Sequence, residues 1–173
     1  FFDPDLLKGY GKRPDNWEAS VTLQQELLPR VALNGGYFRR WYGKFQVTDN
    51  RAVAPSDFDT YCLTSPVDSR LPGGGGQQLC GLYDVKRELF GRSDSLAKRA
   101  SDFGELTRVY NGIDVTVNAL FAQGGSFSGG VSMGRTVEDN CIVVDSPQDA
   151  REGFCKTSPP WSAGTDVKFM VVY

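Results

Sequence analysis

The fold of this chain is indicated most clearly by the stretch Trp17-Glu18-Ala19-Ser20-Val21-Thr22-Leu23-Gln24-Gln25-Glu26-Leu27. Its odd-numbered positions are apolar apart from Gln25, and its even-numbered positions are all polar. Because successive side chains of a β-strand point to opposite faces, this alternation predicts a strand with one apolar and one polar face. Pro29 then ends the run, since proline has no N–H to donate to a neighbouring strand.

The alternation continues in a second strand directly after Pro29. The apolar face of this strand is predicted to carry Val31, Leu33, Tyr37, Trp41, Phe45 and Val47. Phe38 and Arg39 break the parity, which predicts either a β-bulge or the end of the buried band near that point. The two strands together predict a long hairpin over residues 17–48.

The pattern returns in the second half of the chain. Residues 105–137 are predicted to form another long hairpin, with a turn at Gln123-Gly124-Gly125, where glycine tolerates positive φ. A further strand is predicted over residues 165–173. Long loops at 49–104 and 138–164 connect these elements, whereas the hairpin turns are short. The sequence therefore predicts an all-β chain, organised as a single segment, with about five long antiparallel strands.

Strand length and loop asymmetry favour a segment of an outer-membrane β-barrel over a soluble β-sandwich or lipocalin-like barrel. Strands of soluble proteins are usually about 5–6 residues long. The arms of these hairpins are about ten residues or more, and short turns at one end with long loops at the other are typical of membrane barrels. No window approaches the ~18 consecutive apolar residues of a membrane helix, a signal that barrel strands do not produce.

The four cysteines, Cys62, Cys80, Cys141 and Cys155, all lie in the two long loops. Four cysteines allow three pairings, among which the sequence cannot choose. We expect nearest-neighbour bridges, Cys62 with Cys80 and Cys141 with Cys155, because these close only local loops. A zinc site is the competing interpretation, but closely spaced ligand pairs are missing. Disulfides indicate an oxidising compartment, which agrees with loops that face the outside of the cell.

Composition excludes many catalytic and binding classes. The chain has 173 residues and no histidine, which removes Ser-His and Cys-His catalytic pairs and His-ligated zinc. Its 19 basic and 21 acidic residues give a net charge of -2, too balanced for a nucleic-acid groove. We therefore expect no enzymatic activity, no cofactor, no metal site and no nucleic-acid partner.

Several short motifs add a resemblance through their order along the chain. In the first hairpin they are Asn16-Trp17-Glu18, Gln25-Glu26-Leu27-Leu28-Pro29-Arg30-Val31 and Gly36-Tyr37-Phe38-Arg39-Arg40-Trp41-Tyr42-Gly43. Further along they are Val47-Thr48-Asp49-Asn50, Leu71-Pro72-Gly73-Gly74-Gly75-Gly76, Cys80-Gly81-Leu82-Tyr83-Asp84-Val85, Tyr110-Asn111-Gly112-Ile113-Asp114 and Gly134-Arg135-Thr136-Val137. In this order they resemble the barrel of TonB-dependent receptors, in particular a subgroup with an N-terminal carboxypeptidase-regulatory-like domain. The resemblance spans nearly all of the chain.

The resemblance implies a bacterial outer-membrane barrel of about 22 strands with a plugged lumen, which takes up scarce ligands. About five strands cannot close a barrel, because the smallest barrels have eight. We therefore expect this chain to be a piece of a longer transporter, with uptake a property of the parent protein. Its expected partners are the other barrel strands and outer-membrane lipid.

The alternative is structural. The same open strand edges could pair with copies of the chain and build an extracellular β-rich filament.

Overall fold

The described residues of this computed structural model, 1–122, 124–150 and 155–173, form two units. The first, called the loop unit here, comprises residues 1–13, 44–106 and 140–155. The second, called the sheet unit, comprises residues 14–43, 107–139 and 156–173. Because their segments alternate along the chain, the division is not visible in a sequence read from end to end, which predicted a single segment.

The chain is all-β with antiparallel sheets, as the alternation predicted. One short helix, α1, spans Pro4–Leu7. The strands are, in chain order, β1 (Asp15–Leu28), β2 (Val31–Gly43), β3 (Gln46–Asn50), β4 (Phe58–Thr64), β5 (Gln78–Val85), β6 (Ser95–Arg99), β7 (Thr107–Leu120), β8 (Ser126–Asp139), β9 (Lys156–Thr157) and β10 (Thr165–Val172). None of the described helices is long and apolar enough to cross a membrane.

The sheet unit is a single antiparallel sheet in the order β1-β2-β7-β8-β10, and β9 pairs with β8 beside β10. Its four longest strands have 13 or 14 residues, more than twice the usual length in soluble sheets, about 5–6. Tight turns join β1 to β2 and β7 to β8 at one end of the sheet. Arg30 has a φ of 72° in the first turn. In the second, Gly124 has a φ of 95°, while Gln123 of the predicted turn lies outside the described residues.

Two details of the predicted first hairpin are wrong. β2 ends at Gly43 rather than near residue 48, because Lys44 has a φ of 56°, which extended strands do not allow. Val47, predicted to extend the apolar face of β2, instead lies in β3 and pairs with Lys98 of β6. The register through Phe38 is unbroken, so the predicted bulge is absent there; the only irregularity between β1 and β2 lies near Leu28.

The loop unit contains more strand than a pair of long loops would. Within the predicted loop 49–104, β4 pairs with β5, and β6 pairs with β3. Cys62 and Cys80 therefore lie in strands, which corrects their prediction as loop residues. The predicted loop 138–164 also contains β9 and the end of β8, and its residues 151–154 lie outside the described part of the chain.

Burial differs between the units. The small core of the loop unit consists of four apolar residues, Leu6, Ala100, Ile142 and Cys155. Of the described polar residues, Asp49 is buried as well. In the described sheet unit, only Gly112 and Gly125 are buried. The long strands therefore form a single layer whose large apolar side chains remain uncovered.

Candidate functional site

The apolar face of the sheet is the most unusual surface of the sheet unit. It follows from the register, which aligns Leu23, Gly35, Val115, Val131 and Val167 in one transverse row. Leu23 is 67% exposed and Phe169 is 76% exposed. A side chain of this kind gains about 1.5–3 kcal/mol when it is moved from water into an apolar environment. The strands thus display a surface whose free energy would fall markedly on contact with an apolar medium.

The height of this face matches the apolar thickness of a membrane barrel. Val31 and Trp41 mark its two ends on β2, and ten residue steps separate them. At about 3.3 Å per residue, and if the strand were tilted by about 40° as in membrane barrels, these steps would span about 25 Å along the barrel axis. That value equals the height of the lipid-facing band of outer-membrane barrels, about 25 Å.

The opposite face satisfies its polar groups across the strands. Glu18 of β1 forms an ion pair with Arg40 of β2. Six residues along β2, Asn34 donates to the Thr116 hydroxyl over 3.3 Å. Further hydrogen bonds link β8 to β7, where Ser128 donates to Asn118 over 2.7 Å and Ser132 donates to Asp114. This face therefore carries most of the polar side chains of β1, β7 and β8, several of which are paired across strands.

Aromatic rings lie along the polar face and require glycine beneath them. A Cβ atom at Gly112 or at Gly134 would lie 2.5 Å from the Tyr110 hydroxyl oxygen. A Cβ atom at Gly36 would lie 2.9 Å from the Phe38 ring. Glycine within a strand commonly marks such a close approach. The rings of Tyr110 and Phe38 therefore lie flat against the backbone of these glycines.

A shallow hollow of about 500 Å³ lies over the glycines at the middle of β8. It is bordered by Asp114, Ser128 and Lys168 among others, and Lys168 is paired with Asp166 at 2.6 Å. The absence of a side chain at Gly130 opens this space. Its lining offers hydrogen-bonding groups of both kinds.

Both lateral edges of the sheet are open in the part of the chain that the structure describes. β1 and β10 end the strand order, so one side of each strand presents unpaired backbone groups. β10 is exposed along its whole length. Such edges are templates for the addition of further strands.

The loop unit contains both disulfides. Cys62 is bonded to Cys80, and Cys141 to Cys155, and these are the nearest-neighbour pairs that the sequence favours. The two bonds close loops of 18 and 14 residues. They use all four cysteines, so none remains as a thiol nucleophile or metal ligand.

A group of polar contacts joins the Cys141–Cys155 loop to β3 and β6. Both carboxylate oxygens of Asp145 accept from the Asn50 N–H, at 2.9 and 3.1 Å. Asp49, beside it, pairs with Lys98 at 2.9 Å. Burial raises the pKa of Asp145, and the neighbouring Asp49 carboxylate raises it further. Burial also raises the pKa of Asp149. Among the described residues, no group of three potential ligands could hold a metal ion.

Sequence reasoning missed two features of these surfaces. It did not anticipate the Asp49–Asp145 contact, because no local pattern relates residues so far apart. It interpreted Phe38 and Arg39 as a sign of a bulge or of the end of the buried band, whereas Arg39 stays in register on the apolar face, opposite Ala19 and Asn111.

Comparison of the chain with known protein families, curated proteins and solved structures finds no match.

Proposed function

We propose that this chain is a section of the wall of an outer-membrane β-barrel of the TonB-dependent receptor type. In this proposal it contributes five strands to a transporter that takes up ligands, and it has no transport activity alone. The single observation that carries the proposal is the uncovered apolar face of the long-stranded sheet. The receptor type rests on the motif resemblance alone.

The two faces support this assignment together. In water, a one-layer sheet would leave its apolar face exposed to solvent. A bilayer would cover that face, and the opposite face would line a water-filled lumen. The cross-strand pairs Glu18–Arg40 and Asn118–Ser128 suit such a lumen, because each polar group has a partner on the same face. The open edges of β1 and β10 supply the sides on which neighbouring barrel strands would pair.

The disulfides support an external position of the loop unit. One joins the strands β4 and β5, the other closes the loop between β8 and β9, and disulfides persist in oxidising surroundings. The chain passes between the two units at Gly43, Thr107 and Asp139, which lie at the end of the sheet opposite the tight turns. Long external loops and short periplasmic turns have this arrangement in membrane barrels.

A matched pair of arginine substitutions tests the lipid-facing assignment. Leu23 lies in the middle of the apolar face, and Gln24 lies beside it on the polar face. An arginine at mid-depth of the lipid face costs about 2 kcal/mol or more, so Leu23→Arg should lower membrane partitioning roughly 30-fold. Gln24→Arg should leave partitioning within about twofold, since the new charge faces water. The measurement is flotation of the 173-residue chain with phosphatidylcholine vesicles over a range of lipid concentrations.

Equal partitioning of the two variants would contradict the assignment, because it would show that the faces are not distinguished by lipid. Failure of the unaltered chain to float with vesicles would also contradict it. Circular dichroism of the vesicle-bound samples provides the control that each variant retains its β-structure.

The second candidate function is that of an extracellular filament subunit. It is favoured by the two open edges, and in particular by β10, which is exposed and rich in β-branched residues. Copies of the chain could stack edge to edge, with apolar faces covering each other. Whether the chain disperses in detergent distinguishes this function from the first.

A further inference from the structure

One transverse row interrupts the apolar face with polar residues. The register places Arg39 of β2 opposite Asn111 of β7, and Asn111 opposite Arg135 of β8. The rows on either side are apolar and aromatic: one contains Tyr37 and the other Trp41. Two cations thus lie on the face that the proposed function assigns to lipid, about 10 Å apart across two strand spacings.

These arginines lack the acidic partners that basic residues on the polar face have. Arg40 pairs with Glu18, Arg108 with Glu138 at 2.8 Å, and Lys168 with Asp166. No ion pair is found for Arg39 or Arg135 within the described residues.

The Nε of Arg135 is buried and has no hydrogen-bond partner in the described part of the chain. The nearest acidic residue along that face of β8, Asp139, pairs with Lys156 at 2.9 Å. Among the described residues, therefore, the two cations have no acidic partner in an ion pair.

The neighbouring side chains leave hydrogen-bond donors of this row available to an anion. The Arg135 guanidinium stacks on the Trp161 ring, 5.0 Å from its centroid, and stacking leaves the N–H groups at the edge of the guanidinium plane free to donate. Between the arginines, the Asn111 oxygen accepts from the Tyr37 hydroxyl over 2.7 Å. That bond leaves the amide nitrogen of Asn111 as a further donor on the same row.

The position of this row along the strands places it near the membrane boundary in the proposed barrel. Arg39 lies two residues from Trp41, so the row is about 5 Å inside the end of the apolar face. Tryptophan and tyrosine are enriched at the headgroup level of membranes. Arginine at this depth can extend its charge to the interface.

We propose that Arg39, Asn111 and Arg135 form a binding site for the phosphate of a phosphorylated lipid headgroup. The guanidinium groups bind the phosphate oxygens from two sides through charge-assisted hydrogen bonds, and the Asn111 amide donates between them. The lipid chains lie along the apolar row of Leu23 and Val115. This inference rests on the proposed function, because it requires the face to contact a bilayer.

Vesicle flotation with defined lipids tests the site. The unaltered chain and the variants Arg39→Gln, Arg135→Gln and Arg40→Gln are compared on phosphatidylcholine alone and on phosphatidylcholine containing phosphatidic acid. A third set of vesicles carries oleic acid at the same surface charge. Arg40→Gln is the matched control, since it removes the same charge from the next residue on the opposite face.

The unaltered chain should prefer phosphatidic acid vesicles, and each of Arg39→Gln and Arg135→Gln should weaken this preference about fivefold. Arg40→Gln should retain it, and all four proteins should float equally on phosphatidylcholine alone. The net charge of -2 opposes a general attraction to anionic surfaces, so a preference must come from a local site. Oleic acid should not replace phosphatidic acid.

Distinct results would overturn the inference. Binding to phosphatidylcholine with no preference for phosphatidic acid overturns the phosphate site and leaves the barrel assignment intact. An equal preference for oleic acid reduces the site to general charge attraction and overturns it. Loss of the preference on addition of inorganic phosphate, but not of sodium chloride at the same ionic strength, identifies free phosphate as the ligand instead. No binding to any vesicle overturns the barrel assignment, and the lipid site with it.

Discussion

Asp145 illustrates how the surroundings of a single carboxyl group influence the loop unit. Its oxygens accept from the Asn50 N–H, but burial and the Asp49 carboxylate oppose its charge and raise its pKa. Lys98 compensates Asp49, to which it is paired, and Asp149 adds a further repulsion. The folded chain therefore holds the proton of Asp145 more tightly than the unfolded chain does.

The sign of the pH dependence follows from this raised pKa. Below the ordinary pKa of aspartate, about 3.9, the group is protonated in both states and costs nothing. As the pH rises through the folded pKa, the buried carboxyl group of the folded chain must ionise in unfavourable surroundings. The contribution of Asp145 therefore favours folding in acid and is lost toward neutral pH. Asp145→Asn should accordingly slow amide exchange at Asn50 near neutral pH and change it little near pH 3, because the amide oxygen still accepts from Asn50.

Asp68→Asn serves as the control of opposite sign. The Arg70 side chain holds the pKa of Asp68 below its ordinary value, so loss of this charge should not stabilise the chain at neutral pH. Faster exchange at Asn50 in Asp145→Asn at neutral pH would show that the carboxylate stabilises the contact despite burial.

At the scale of elements, the pair β4–β5 depends on its disulfide. Two-stranded hairpins are marginally stable alone, and most residues of these strands are exposed. Two residues of β5 oppose Cys62 at an irregularity between Tyr61 and Leu63. Gly81 permits this bulge with a φ of 75°. The Cys62–Cys80 bond thus joins the strands where their hydrogen bonding is interrupted.

Removal of this bond should release the strand pair selectively. A disulfide that closes a loop of this size stabilises by about 3 kcal/mol, so Cys62→Ser with Cys80→Ser should accelerate amide exchange in β4 and β5 about 100-fold. The long strands β7 and β8 should keep their protection, because their ladder is independent of the bond. Cys141→Ser with Cys155→Ser is the matched control and should leave exchange in β4–β5 unchanged except at Tyr83, whose N–H donates to Gln148 within the loop that this bond closes. Unaltered exchange in the first double variant would contradict a stabilising role.

At the scale of the whole chain, the number of long strands limits what it can do alone. Five strands leave two open edges and one uncovered apolar face, whereas closed membrane barrels begin at eight strands. In aqueous buffer the chain should therefore self-associate, since both edge pairing and apolar contact lower its free energy.

Size-exclusion chromatography with and without detergent measures this behaviour. Without detergent the chain should elute well above its mass of 19.0 kDa, and detergent should disperse it by covering the apolar face. A fibre that persists in detergent and diffracts with a spacing of about 4.7–4.8 Å would favour the filament function over the barrel section. A stable monomer in buffer without detergent would contradict both.

The sequence by itself determined the all-β class, the long strands and the two faces of each strand. These features depend on the alternation of neighbouring side chains, as in Trp17–Leu27, and strand geometry translates that alternation directly into faces. Nearest-neighbour pairing of Cys62 with Cys80 was also favoured locally, because it closes a short loop.

Only the tertiary structure decided which distant residues meet. The left-handed backbone at Lys44 separates β2 from β3, and β3 then pairs with β6 about 50 residues away. Likewise, the row that contains Arg39 and Arg135 exists only because three strands align in one register. A shift of one residue would move a side chain to the other face, so long-range strand pairing, which no local pattern specifies, determines where these charges lie.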